Sequence, residues 1–147
     1  MAECKQCHNT FERSILKGNR EHPNQIYCSL YCQRRAYYLH KMHDPKWRLK
    51  KLMSFAKNRA KIKDVPFDLD IKYLLSLWNG KCSISGVDLQ LDAGSGRVYR
   101  RAPSIDRIIP ELGYVKGNVR IVTYQVNVAI SEFGEEGLYK LVKEVAT

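Results

Sequence analysis

No run of about 18 apolar residues occurs in the chain, which excludes a membrane-spanning helix. The opening Met1-Ala2-Glu3-Cys4-Lys5-Gln6-Cys7 lacks the apolar centre of a secretory signal peptide, so a cytoplasmic setting is expected. No internal repeat appears, and 147 residues leave little room for two full cores; one domain, or a small core with an appendage, is expected. Acidic side chains are scarce, 15 Asp+Glu against 25 Lys+Arg. The resulting net charge of +10 points to polyanionic partners, nucleic acid ahead of a membrane surface. Cysteine is limited to five residues, four of them in two close pairs, and in a reducing compartment such grouping favours metal over disulfides. Apolar residues are plentiful, at 44%, and support a folded chain.

The first cysteine pair is Cys4-Lys5-Gln6-Cys7 and the second is Cys28-Ser29-Leu30-Tyr31-Cys32. Two close pairs separated by a loop supply four thiolates, the tetrahedral set that structural Zn²⁺ requires. His8 or His22 could replace one ligand, although neither has the paired spacing. The second pair runs into Gln33-Arg34-Arg35-Ala36-Tyr37-Tyr38-Leu39, which reads as a helix. Hairpin pair first and helix-opening pair second resembles a treble-clef zinc finger.

Asp44-Pro45 signals the start of a helix running to about Lys63. Leu49, Leu52, Met53, Ala56 and Ala60 form its buried stripe. Lys50, Lys57 and Lys61 lie on one flank and Arg48 and Arg59 on the other. The lysines are either an ordinary solvated face or a phosphate-tracking surface. Asp68 or Asp70 opens a second helix, with Ile71, Leu74, Leu75 and Trp78 inward and Asn79-Gly80 as its stop. A short strand and turn follow at Lys81 to Gly86, and 93–97 reads as a loop. Strands are expected over 104–109 and 119–122, joined by a long connection over 111–117. A helix from Tyr124 to about Phe133 ends at Gly134, and Leu138, Leu141, Val142 and Val145 mark a closing helix.

The segment from Ser104 to Asn127 carries the chemistry. Asp106 and Asn127 are hard oxygen donors of the type that holds Mg²⁺ or Mn²⁺ beside a phosphate. Arg107, planar and permanently charged, suits a phosphate oxygen. Adjacent strand residues point to opposite faces, so Asp106 and Arg107 can share a site only at a strand end.

This pattern resembles the metal-binding hairpin-and-helix core of the HNH endonuclease superfamily. The resemblance covers about Phe67 to the C-terminus and is most specific from Pro103 to Ser131. It implies an α+β fold: a small ββα-metal core with flanking helices and an N-terminal zinc knuckle. The corresponding divisions are a finger over 1–43, a basic connecting helix over 44–64 and a nuclease core over 65–147. By resemblance Asp106 is the first metal-binding residue, Asn118 the middle Asn that ties down the loop, and Asn127 the final His/Asn ligand on the helix.

The chain departs from most members where they carry a general-base His, because it has Arg107. Arginine cannot deprotonate water at neutral pH, so that role does not transfer. The Asp-Arg form is similar to a rare-cutting restriction enzyme of the superfamily, in which a tyrosine on the helix before the hairpin attacks the phosphate. Tyr73 is the nearest counterpart, with Tyr99 and Tyr124 as alternatives, while His40 or His43 could instead activate water from outside the core. Some relatives bind a second zinc through two further cysteine pairs. Here Cys82 and Ser85, then Thr123 and Val126, occupy those places, so packing takes over.

The expected function is Mg²⁺- or Mn²⁺-dependent hydrolysis of double-stranded DNA, with one structural Zn²⁺. Arg34, Arg35, Lys50, Lys57 and Lys61 are the candidate DNA contacts. A single core makes one cut, so breaking both strands needs a homodimer. The competing expectations are a non-catalytic nucleic-acid binder on a decayed scaffold and a zinc adaptor for protein partners.

Overall fold

In a computed structural model that describes residues 1–16, 20–91 and 100–146, the chain divides into two units, Met1–His43 and Asp44–Thr147. The fold is mixed α+β, built from small two-stranded sheets and helices. The basic helix expected as a connector belongs to the second unit, because its apolar stripe is part of that unit's core. The glycine-rich segment over 93–97 and Tyr99 lie outside the described residues.

The first unit pairs β1 (Ala2–Glu3) with β2 (Thr10–Phe11) and β3 (Ile15–Leu16) with β4 (Arg20–Glu21), both antiparallel. Helix α1 (Leu30–Lys41) follows, capped by Ser29, whose side chain accepts from the Cys32 N–H. His8 takes a left-handed conformation, φ 63°, which turns the chain between the first two cysteines and Asn9. Among the described residues only Cys4, Cys32 and Met42 of this unit are buried hydrophobics.

The second unit opens with α2 (Pro45–Lys63), capped by Asp44, whose side chain accepts from Lys46 N–H at 2.9 Å. Pro45 suits the first helical position because its missing N–H has no intrahelical partner there. Leu49, Leu52, Ala56 and Ala60 are buried, with Met53 half-buried against the same core. Helix α3 (Ile71–Leu77) is capped by Asp70 rather than Asp68. Asp68 instead accepts from the Lys116 N–H at 2.7 Å. The helix ends before Asn79-Gly80, because Trp78 turns extended and its N–H closes on Leu75.

Asp70 has two tasks that substitution can separate. Its carboxylate accepts from the Tyr73 N–H and pairs with Lys116, and the Lys116 contact first, then the Tyr73 N–H, holds its pKa below the ordinary value. A depressed carboxyl stabilises the fold fully above the ordinary aspartate range and loses that contribution as pH falls through the folded value. Asp70→Asn is therefore expected to keep the helix cap but flatten the acid limb of the stability–pH curve. Asp70→Ala loses the cap as well and is expected to melt lower than Asp70→Asn across the range. Thermal melting between pH 2 and 6 of the three proteins checks this; an unchanged acid limb in Asp70→Asn refutes it.

Strands β5 (Pro103–Arg107) and β6 (Val119–Thr123) form an antiparallel hairpin in which Asp106 faces Arg120 and Arg107 faces Val119. The first strand ends at Arg107, two residues earlier than its apolar run suggests, because Pro110 opens a 3₁₀ turn over Pro110–Leu112. Helix α2 packs on β5, and α4 (Tyr124–Val145) packs on both β5 and β6. Both faces of the hairpin are thus covered, and β5 is buried almost throughout instead of alternating. Gly113, φ 76°, lies so close to Pro66 that an added Cβ would fall 2.4 Å from its carbonyl oxygen; only glycine fits. Gly134 interrupts α4 with φ 70° and ψ 167°, the break its position predicts. Beyond it the helix continues to Val145, as its apolar residues suggest, with Leu141, Val142 and Val145 exposed.

Candidate functional site

Two groups of side chains are built for chemistry, one in each unit. In the first, the sulfurs of Cys4, Cys7, Cys28 and Cys32 all lie within 4.8 Å of one another. Zn–S bonds of about 2.3 Å in a tetrahedron place sulfurs about 3.8 Å apart. The Cys7–Cys28 and Cys28–Cys32 separations, 3.6 and 3.5 Å, are close to that spacing. The four cysteines therefore form a possible metal site consistent with structural zinc.

Backbone geometry prepares this cluster for anionic sulfur. The Cys28 N–H donates to Cys4 Sγ at 3.4 Å. Burial pushes the Cys4 thiol up, but N–H groups of Cys28, Cys7 and Gln6 more than offset it, leaving a pKa of about 6. The Cys28 thiol is raised, chiefly by the neighbouring Cys32 sulfur. One thiolate thus forms readily, and without a cation the other sulfurs resist ionising beside it. The fifth cysteine, Cys82, is buried near Thr123 in the second unit.

In the second unit a cleft of about 650 Å³ opens where β5, α2 and α4 meet. Its walls include Asp106, Arg107 and Asn127, three of the residues singled out by their sequence spacing. Arg107 is the last residue of β5, so the requirement for a strand end is met. Asp106 is buried, and its Oδ2 accepts from Arg120 Nε at 2.7 Å. The same guanidinium donates to Glu135 Oε2 at 2.6 Å and holds that carboxyl below its usual range.

Asn127 approaches from α4. Its Nδ2 donates to Ser104 Oγ at 2.7 Å and lies 3.5 Å from the Ile105 carbonyl oxygen. A carbonyl oxygen only accepts, so this neighbour fixes the amide orientation and leaves Oδ1 as the donor atom for a cation. Arg107 donates to the Pro110 carbonyl at 2.9 Å and stacks over the Tyr114 ring at 5.0 Å. Arg59 and Lys63 of α2 complete a cleft that holds four cationic side chains against two carboxylates.

Other sequence candidates lie elsewhere. Asn118 is buried, and its amide is spent on Ile109 N–H, Ile109 C=O and Gly113 C=O, which pins the hairpin connection. Tyr73 is not among the cleft residues; its hydroxyl accepts from the Gly117 N–H at 2.8 Å and braces the same connection. Tyr124 begins α4 and is likewise outside the cleft lining. His40 and His43 belong to the first unit. Arg34 is exposed on α1 beside a hollow of about 610 Å³ that also includes Tyr37, and Arg35 is half-buried on the same helix. Lys50, Lys57 and Lys61 are exposed, but at about 100° per residue they sit roughly half a turn around α2 from Arg59.

Sequence reasoning missed Arg120, Glu135, Arg59 and Lys63 as cleft residues. Arg120 had a usable signal: once the hairpin register is set, it is the residue opposite Asp106. No protein-family model matches the chain, and neither a curated protein nor a solved structure matches it at a significant level.

Proposed function

We propose that this chain is a divalent-metal-dependent endonuclease that hydrolyses phosphodiester bonds of double-stranded DNA on an HNH-type ββα-metal core. The observation that carries this reading is the convergence of Asp106, Arg107 and Asn127 on one cationic cleft. Asp106 and the Asn127 oxygen would hold Mg²⁺ or Mn²⁺, with water and phosphate completing an oxygen shell. A divalent cation there supplies Lewis-acid stabilisation of charge developing on the phosphate and the leaving oxygen. The Ile105 carbonyl keeps the Asn127 amide in the orientation that leaves its oxygen for a cation, and Ser104 accepts from the same Nδ2. Arg107, prepositioned by Pro110 and Tyr114, stabilises the extra negative charge of the transition state, an effect worth about 3 kcal/mol.

In the first unit, Cys4, Cys7, Cys28 and Cys32 hold one structural Zn²⁺; four thiolates leave no coordination position for water. Arg34 and Arg35 are its candidate DNA contacts. A single cleft nicks one strand, and a two-fold dimer is needed to cut both.

A second reading draws on Arg120. Its guanidinium already neutralises Asp106, as expected of a binding protein that has given up metal chemistry. Incubating supercoiled plasmid with the protein in Mg²⁺, Mn²⁺ or EDTA, beside Asp106→Ala, separates the two. Nicking that requires metal and falls at least about a hundredfold in Asp106→Ala supports the nuclease. Tight DNA binding with no cleavage in either metal supports the binder.

A further inference from the structure

We infer that Arg59 and Arg107 form a two-guanidinium clamp for one phosphate of a nucleic-acid backbone, with Tyr114 as the residue that positions both. The clamp rests on the proposed nucleic-acid reading of the cleft and adds a binding site within it. Arg59 comes from α2 and Arg107 from the end of β5, yet their guanidinium carbons lie 5.6 and 5.0 Å from the centroid of the same ring. Tyr114 is buried, with 4% of its surface exposed. Its backbone is tied to Pro66 and Asp68, so the ring is a fixed platform.

The hydrogen bonds around that platform leave phosphate-binding groups available. Arg59 gives its Nε–H to the Tyr114 hydroxyl at 3.0 Å, and Arg107 gives a terminal N–H to Pro110 at 2.9 Å. A guanidinium has five N–H donors, so among the described residues each arginine commits one and keeps others for a ligand. Neither arginine has a carboxylate partner among the ion pairs of the described residues. Arg120 differs: two carboxylates hold it. Two cations held around one ring with no acidic partner repel one another, and a shared anion lowers that cost. The planar guanidinium forks match the oxygens of a phosphate. Lys63, one helical turn beyond Arg59, adds positive charge to the same wall.

The test is equilibrium binding of the full chain to a short mixed-sequence DNA duplex in EDTA, across a range of salt concentrations. Arg59→Ala is expected to weaken binding about tenfold and to reduce the salt slope by about 1, the loss of one phosphate contact. Lys143→Ala, a charge-matched change outside the cleft, is expected to have a smaller effect on both. Tyr114→Phe keeps the ring but removes the acceptor for Arg59, and is expected to weaken binding roughly threefold. Added to Arg59→Ala it should change nothing further, because the hydroxyl acts through Arg59.

Wild-type affinity and slope in Arg59→Ala, an additive double variant, or no duplex binding by the wild type would each overturn the clamp. Arg59-dependent binding without metal-dependent cleavage would support the clamp and count against the nuclease. Cleavage with an unaltered Arg59→Ala profile would do the reverse.

Discussion

Stripping metal from the protein with a strong chelator is expected to unfold Met1–His43 and to leave Asp44–Thr147 folded. The first unit has strands of only two residues each. Its buried hydrophobics among the described residues are Cys4, Cys32 and Met42, each sulfur-bearing, with no large aliphatic or aromatic residue among them. A unit of about 40 residues rarely stabilises itself by burial alone. Binding of structural zinc contributes on the order of 10 kcal/mol, more than such a unit can lose and remain folded. The second unit has a separate core of Leu49, Leu52, Leu74, Ile105 and Ile121, none of which belongs to the first unit.

Cys32→Ser is expected to reproduce the effect of the chelator, because Cys32 is one of the four clustered cysteines and its N–H donates to the Ser29 cap of α1. Amide-resolved NMR reads the outcome directly: signals of the first unit should collapse to random-coil positions while those of α2 and the hairpin stay dispersed. Dispersed first-unit signals in metal-free protein would show that the cysteines are not the source of its stability.

Local signals in the sequence were sufficient for most of the helices. Asp44-Pro45 begins α2 where a capping side chain and a pre-set φ coincide, and Gly134 breaks α4 where only a residue tolerant of positive φ fits. Cysteine spacing likewise placed four sulfurs together, since two short local turns determine most of that geometry. Relationships between distant segments were harder to read. The stripe of α2 shows which face is buried, but not that Arg59 on its edge meets Tyr114 across the unit. Tyr73 looked like a nucleophile by position along the chain, yet its hydroxyl is engaged by Gly117, a contact that depends on how α3 sits against the connection. Asn118 could be read as a turn residue, and its three hydrogen bonds explain why that position needs an amide, which both donates and accepts.

Arg120 provides the second large effect and distinguishes a metal ligand from a merely paired aspartate. The Asp106 side chain is 8% exposed and the Arg120 side chain 18%, so their bond is screened little by water. Truncation in Arg120→Ala leaves Asp106 as an uncompensated buried charge, and such losses cost about 3 kcal/mol. Glu135 is 39% exposed, so water takes over much of its pairing and it adds little to that figure. If Asp106 and Asn127 form a cation site, Mg²⁺ or Mn²⁺ supplies the missing charge. A ligand at a hundred times its Kd adds about 2.7 kcal/mol. Thermal melting of Arg120→Ala is therefore expected to recover most of its loss when Mn²⁺ is added, while wild type, whose aspartate already has a cation, gains less. The double variant Asp106→Asn with Arg120→Ala is expected to regain stability without metal and to ignore Mn²⁺. Loss of stability with no recovery in either metal would mean that Asp106 serves the hairpin alone and holds no cation.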